Sequence, residues 1–187
     1  MEITFASEQD LIRRARAGES IAFEQLVHAF TPDLFRVVRR MTGNTEDAEA
    51  VLQETFWRVW QALPRYQEDR RFFPYLLTIA ANLVRDAWRK ERWVLPGELD
   101  EERATSTCEQ QTPEMQSEEA ELLQALAKAT EELPPPYRAV IALRYDAGLS
   151  YEETASTLNL PVNTVRTHLR RAKLALSNKL EVLYGNE

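Results

Sequence analysis

The sequence is poor in the residues that mark several protein classes. Its 187 residues include a single cysteine, Cys108, which excludes an intramolecular disulfide framework and fits a reducing compartment. Its two histidines, His28 and His168, are too isolated to suggest a metal site or a histidine-based catalytic dyad. A glycine-rich phosphate loop is also missing. These absences argue against an enzyme and against a bound metal or cofactor.

Long hydrophobic runs are missing as well. No stretch approaches the roughly 20 apolar residues that cross a bilayer, and the N-terminus has no basic start followed by an apolar run. We therefore expect a soluble, cytoplasmic protein. The five glycines, the few runs of β-branched residues and apolar residues recurring at spacings of three and four predict helices rather than strands. The expected fold class is all-α.

Acidic residues outnumber basic residues over the whole chain. Thirty acidic and 23 basic side chains give a net charge of −7, which disfavours nonspecific attraction to nucleic acid. Between Pro96 and Gln116, six acidic residues face one arginine and there is scarcely an apolar residue. This composition predicts a flexible acidic linker between two small helical domains. The expected bounds are 1–95 for the first domain, 96–117 for the linker and 118–187 for the second domain.

A helix-turn-helix pattern lies near the C-terminal end. Ser150 and Glu153 have the spacing of a capping box, which predicts a helix start. Asn159 tolerates the left-handed backbone of a tight turn, and Pro161 suits the first turn of the next helix. The pattern predicts two helices joined by a short turn, an arrangement that many proteins use to read DNA.

The second of these helices carries the candidate DNA contacts. No acidic residue occurs from Thr154 through Leu180. Early positions of a recognition helix reach base edges in the major groove, and later basic residues hold phosphates. The alternative, a solvated basic face on a helical hairpin, does not account for the turn, the capping box and the uninterrupted positive charge together. The candidate DNA contacts are Asn163, Thr164, Arg166, Thr167, Arg170, Arg171 and Lys173, with Arg144.

The first domain is predicted to hold four helices around one core. The apolar stripe of the third helix comprises Leu52, Phe56, Val59, Trp60 and Leu63. The inward residues of the fourth helix are expected to be Leu76, Ile79, Ala80, Leu83 and Ala87. Two polar sets lie largely off these stripes: Asp47, Glu49, Gln53 and Glu54 on the third helix, and Asn82, Arg85, Arg89 and Lys90 on the fourth.

Three stretches of the chain resemble bacterial sigma factors of the extracytoplasmic-function (ECF) group. Residues 47–63 resemble the polymerase-binding helix of that family, and residues 73–89 resemble its next helix, which handles the melted downstream promoter element. The family's second domain is matched by Leu133-Pro134, Arg138, Leu143-Arg144, Gly148 to Glu153, Pro161-Val162 and Thr164 to Arg166. The likeness spans nearly the whole chain in the right order. The sequence departs from the family pattern at Tyr75, Thr154 and Asn163.

The resemblance implies a sigma region 2 domain followed by a sigma region 4 domain. It implies binding to RNA polymerase core at two places, the coiled coil of the largest subunit and the flap. The residues implied at the coiled coil are Asp47, Glu49, Gln53 and Glu54. The residues implied at the unpaired downstream strand are Asn82, Arg85, Arg89 and Lys90, with Arg71 in the preceding loop. The helix-turn-helix would read the upstream promoter element. An anti-sigma factor is a further implied partner.

An autonomous dimeric helix-turn-helix regulator is the alternative function. It predicts a dimer and a two-fold operator. Neither a ligand pocket nor a phosphoacceptor-bearing α/β domain is evident in the first half of the sequence. Cys108 falls in the acidic linker, where we expect a spectator rather than a redox sensor.

Overall fold

The structure is a computed structural model, and it describes residues 5–66, 71–90 and 118–184. All regular structure in these residues is helical, which confirms the expected fold class. The helices are α1 (Phe5–Arg16), α2 (Ser20–Thr42), α3 (Thr45–Ala62), α4 (Phe72–Lys90), α5 (Glu118–Glu131), α6 (Pro135–Ile141), α7 (Tyr151–Leu158) and α8 (Val162–Tyr184). A 3₁₀ turn, Leu63–Arg65, follows α3, and a π-helical turn, Ala142–Asp146, follows α6. The predicted linker at 96–117, with Cys108, lies outside the described residues.

The N-terminal unit, α1 to α4, is organised around α2, which packs against the other three helices. Its fully buried side chains include Ile12, Leu26, Leu34 and Phe72. The corner between α2 and α3 is built from two cap residues. Gly43 ends α2 in the left-handed region at φ 87°, and the Asn44 side chain accepts a hydrogen bond from an amide in the first turn of α3.

The buried stripe of α4 differs from the one expected. Leu83 is half-buried and Ala87 is exposed, whereas the next positions along the helix, Val84 and Trp88, are buried. The reason is that α4 is covered on more than one side, since it contacts α2 and α3 in its own unit and also α7. The buried arc is therefore wider than one amphipathic stripe and is rotated towards the C-terminal unit.

The C-terminal unit, α5 to α8, packs α5, α6 and α7 against α8. The predicted capping box at the start of α7 is confirmed: the amide of Glu153 donates to Ser150 Oγ at 3.1 Å, and the amide of Ser150 donates to Glu153 Oε2 at 2.8 Å. Asn159 adopts the predicted left-handed conformation, at φ 51°. The turn between α7 and α8 is therefore fixed by local sequence.

The two units pack against each other as well as within themselves. α2 contacts α6 and the π-helical turn, and α4 contacts α7. Their buried apolar side chains form one continuous cluster, which runs from Leu11 in α1 to Ala172 in α8. Among the described residues, no helix is both long enough and apolar enough to cross a membrane.

Candidate nucleic-acid and protein interfaces

The outward face of α8 carries the residues expected to contact DNA. Thr164 is half-buried, and the exposed members of the set are Asn163, Arg166, Thr167, Arg170, Arg171 and Lys173. The opposite face is buried through Val165, Leu169 and Ala172. Burial of one side of α8 therefore leaves the cations together on the other side.

Two tyrosines that the sequence analysis did not single out contact these cations. The guanidinium of Arg144 lies 5.4 Å from the centre of the Tyr151 ring, and that of Arg166 lies 5.6 Å from it. The ammonium of Lys173 lies 5.4 Å from the Tyr145 ring centre. Hydrogen bonding to Tyr145 raises the pKa of Lys173. These cation–π contacts restrict the cations before any ligand binds.

His168 is on α8 but belongs to the core. Its side chain is 3% exposed, and its ring packs against Tyr137 of α6 with 5.4 Å between ring centres. Burial, assisted by the positive charge of Arg171, lowers the pKa of His168. The imidazole is therefore neutral at ordinary pH and is not among the DNA-facing cations.

The candidate strand-binding residues of α4 differ in exposure. Arg89 is exposed, as is Arg71 just before the helix, and Asn82 is half-buried. Arg85 is half-buried because its guanidinium donates a hydrogen bond at 2.9 Å to the carbonyl of Leu158, the last residue of α7. Lys90 is the last residue of α4.

Trp88, on the same helix, is 8% exposed and belongs to the hydrophobic core. It is therefore not placed to stack on a base in this arrangement.

The polar set of α3 is accessible, but its members have different surroundings. Glu49 and Gln53 are exposed. Glu54 pairs with Arg58 at 2.7 Å on the same helix. Asp47 also has a local role, since its carboxylate accepts a hydrogen bond from the amide group of the cap residue Asn44.

Trp57 is the residue of this face that the sequence analysis missed. Its side chain is 58% exposed, and it follows Glu49 and Gln53 at successive helical spacings of four, so the three share one side of α3. The neighbouring Trp60 is partly buried against the Phe23 ring, 4.8 Å away. Trp57 and Trp60 line a shallow groove with Pro64. A large exposed aromatic side chain among polar residues is typical of a protein-binding surface.

Comparisons with known proteins agree with this arrangement. The chain matches the sigma-70 region 2 family over residues 26–94 and the sigma-70 region 4 family over residues 123–176. The ECF RNA polymerase sigma factor SigW of Bacillus subtilis is 31% identical over 179 residues, which cover 92% of this chain and 96% of SigW. The ECF RNA polymerase sigma-E factor of Escherichia coli K12 is 31% identical over 192 residues, covering 95% and 96%.

Two solved structures share the fold. CnrH, determined in complex with the cytosolic domain of CnrY, superposes with a TM-score of 0.61 at 27% identity, covering 94% of this chain and 98% of CnrH. The sigma factor RpoE of Bartonella quintana, determined with the anti-sigma factor NepR, gives a TM-score of 0.59 at 22% identity, covering 86% and 97%.

Proposed function

Because the chain belongs to the ECF sigma factors, we propose how its surfaces divide the work of a dissociable specificity subunit of RNA polymerase. The observation that carries this division is the pairing of two kinds of surface. One is the exposed aromatic and polar side of α3, and the other is the cationic side of α8. The alternative of an autonomous dimeric regulator is wrong, because the family match covers both units.

The α3 surface is the proposed docking site for the coiled coil of the largest polymerase subunit. Trp57 supplies apolar area that the partner buries, while Glu49, Gln53 and Glu54 surround it with polar groups. Charge at the edge of an interface steers and orients association, and a central aromatic residue supplies most of the affinity. Asp47 acts at the edge of this site and also in the cap of α3. We assign the flap of the polymerase to the C-terminal unit.

The outward side of α8 is the proposed reader of the upstream promoter element. Asn163, Thr164, Arg166, Thr167 and Arg170 lie early enough on the helix to reach bases. The remaining contacts, from Arg171, Lys173 and Arg144, would be to phosphates. Variants of the base contacts should therefore change sequence preference, whereas variants of the phosphate contacts should change only affinity.

The polar side of α4 is the proposed binding surface for the unpaired downstream strand. Asn82, Arg85, Arg89 and Lys90 recur along the helix and follow the phosphates of one strand, with Arg71 in the preceding loop. Binding of an unpaired base to this surface offsets the free energy of unstacking that base, roughly a few kcal/mol, and so favours melted promoter DNA.

The subunit as a whole contributes binding rather than catalysis. It acts in the cytoplasm as a region 2 domain (1–95) and a region 4 domain (118–187) joined by the linker.

We also propose regulation by an anti-sigma factor. The CnrH relative was solved with the cytosolic domain of a second protein, CnrY. An inhibitor that covered Trp57 would compete directly with polymerase. Affinity purification of the tagged chain from its source cell tests this: an inhibitory protein should be recovered with the wild type and lost with Trp57→Ala, and failure to recover one would count against the proposal.

Co-elution with sigma-free RNA polymerase core tests the main proposal. Stoichiometric co-elution on gel filtration at moderate salt, followed by promoter-dependent run-off transcription, is the expected result. A well-folded dimer that does not associate with core would overturn it.

Base and phosphate contacts are then separated in the reconstituted holoenzyme. Arg166→Ala should cost about 1–3 kcal/mol at one base position, whereas Lys173→Ala should weaken all sequences alike and reduce the salt dependence. An equal loss on every sequence with both variants would remove Arg166 from the base-reading set.

A further inference from the structure

The C-terminal third of α2 is joined to the C-terminal unit by charged side chains. Arg39 pairs with Glu131 at 3.0 Å, and Arg40 pairs with Asp146, whose side chain is 14% exposed. Arg36 donates a further hydrogen bond to the backbone carbonyl of Asp146 at 3.4 Å. Burial raises the pKa of Asp146, and the charges of Arg40 and Arg36 oppose that shift. The Asp146 carboxylate therefore depends on α2 for compensation of its charge.

Arg138 of α6 holds the same end of α2 through backbone groups. Its guanidinium donates hydrogen bonds to the carbonyls of Thr42 at 2.9 Å and Met41 at 3.4 Å, and to that of Glu131 in its own unit at 2.8 Å. The two α2 carbonyls lie at the helix end, where intrahelical partners run out. Gly43 makes room for this contact, since a Cβ there would stand 2.9 Å from Arg138 Cζ.

On α4, the contact between units reaches the candidate strand-binding surface. Arg85 Nη1 donates to the carbonyl of Leu158 at 2.9 Å. Its Nε is also shielded from solvent and makes no hydrogen bond within the described residues. Arg71 acts electrostatically on Glu153, in the first turn of α7. α7 thus lies over the part of α4 that carries Arg85, while the cations of α8 stay exposed.

We propose that α7 and single-stranded promoter DNA bind this surface of α4 in alternation. In the closed arrangement, the Leu158 carbonyl occupies the Arg85 donor that a phosphate would need. A phosphate is a charged and stronger acceptor than a carbonyl, so DNA replaces α7 once the units are held apart on polymerase. The free chain therefore presents its α8 surface and masks its strand-binding surface. The identity of the competing ligand rests on the proposed function, whereas the closed arrangement does not.

Small-angle X-ray scattering of full-length charge variants tests the closed arrangement. Arg40→Glu and Asp146→Arg each place like charges together across the units, and the double exchange restores an opposite pair. A compact chain of this length has a radius of gyration of roughly 16 Å, and each single variant should expand by several ångströms while the double variant returns towards the wild type. The controls are Asp10→Arg and Arg13→Glu, which alter an ion pair within α1 and should stay compact. Unchanged radii in both single variants, with helical content retained, would overturn the closed arrangement.

Fluorescence anisotropy with a labelled oligothymidine tests the masking. Each opened variant is compared with the control of equal charge change: Asp146→Arg with Asp10→Arg, and Arg40→Glu with Arg13→Glu. We expect the opened variants to bind roughly threefold or more tightly than their controls, and added Arg85→Ala to remove the gain. Expansion without tighter binding would overturn the masking. Failure of the wild type to co-elute with polymerase is a separate result, which would refute the proposed function and leave the closed arrangement standing.

Discussion

Replacement of Trp57 by alanine should weaken polymerase binding much more than it destabilises the fold. The side chain is 58% exposed. A tryptophan buries up to about 250 Å² when fully covered, so a partner can cover roughly 145 Å² more, worth about 3.6 kcal/mol at about 25 cal/mol per Å². Alanine retains part of that area, which leaves an expected loss of about 2–3 kcal/mol, or roughly 30- to 150-fold in affinity.

The assay is competition for sigma-free core polymerase between labelled wild type and unlabelled variant. Trp57→Phe should recover much of the affinity, because a ring remains in place. Ile21→Ala is the control, since Ile21 is equally exposed, at 59%, but lies at the start of α2, outside the α3 surface. The fold should lose about 1 kcal/mol or less, because a largely exposed residue is replaced by a good helix former. An affinity within about threefold of wild type would refute the assignment of Trp57 to the interface.

Three further predictions concern the helix-turn-helix. Tyr151→Leu should reduce discrimination at the base read by Arg166 by about 0.5–1 kcal/mol, whereas Tyr151→Phe retains the ring and should leave discrimination unchanged. Competition among duplexes with single base changes measures the discrimination of the holoenzyme. Equal discrimination by the two variants would contradict a role for the Tyr151 ring. Glu153→Gln should destabilise the protein near neutral pH and progressively less in acid. Hydrogen bonds from Ser150 lower the pKa of Glu153, so its stabilisation is present above its unfolded pKa and is lost as the pH falls through the lower folded value. Urea unfolding at several pH values checks this, and a difference that is independent of pH would refute it. Thr154→Val should raise the free energy of unfolding by about 1 kcal/mol, because the Thr154 hydroxyl is buried without a hydrogen-bond partner among the described residues; a decrease would show that the hydroxyl is satisfied.

The C-terminal turn could be predicted from sequence because its determinants are neighbours in the chain. The capping box involves residues three positions apart, and the left-handed turn depends on the tolerance of Asn159 itself. The same holds for α8, where Val165, Leu169 and Ala172 recur at helical spacings of four and three and are buried. Where interactions between neighbouring residues decide the structure, the sequence alone is enough to predict it.

The exposure of Trp57 and the burial of Trp88 depend instead on which helices cover each position. A tryptophan at helical spacing fits a core stripe equally well, so the pattern alone cannot separate the two cases. The rotation of the α4 stripe has the same origin, because α7 covers a side of α4 that periodicity assigns to solvent. The contact from Arg138 to Thr42 joins residues from different units, and no local spacing encodes it.

The charge balance explains why such a chain needs a partner to act at a promoter. Between Thr154 and Leu180 there are five basic residues and no acidic one, against a net charge of −7 for the whole protein. A handful of phosphate contacts gives weak binding at physiological salt, and the acidic remainder of the chain opposes it. Tethering both units on one large partner makes the second DNA contact intramolecular, so two weak surfaces add to strong binding without new contacts. Arg36, Arg39 and Arg40, which would otherwise add basic surface, lie at the junction between the units. DNA binding that depends on a partner therefore follows from where the chain places its cations.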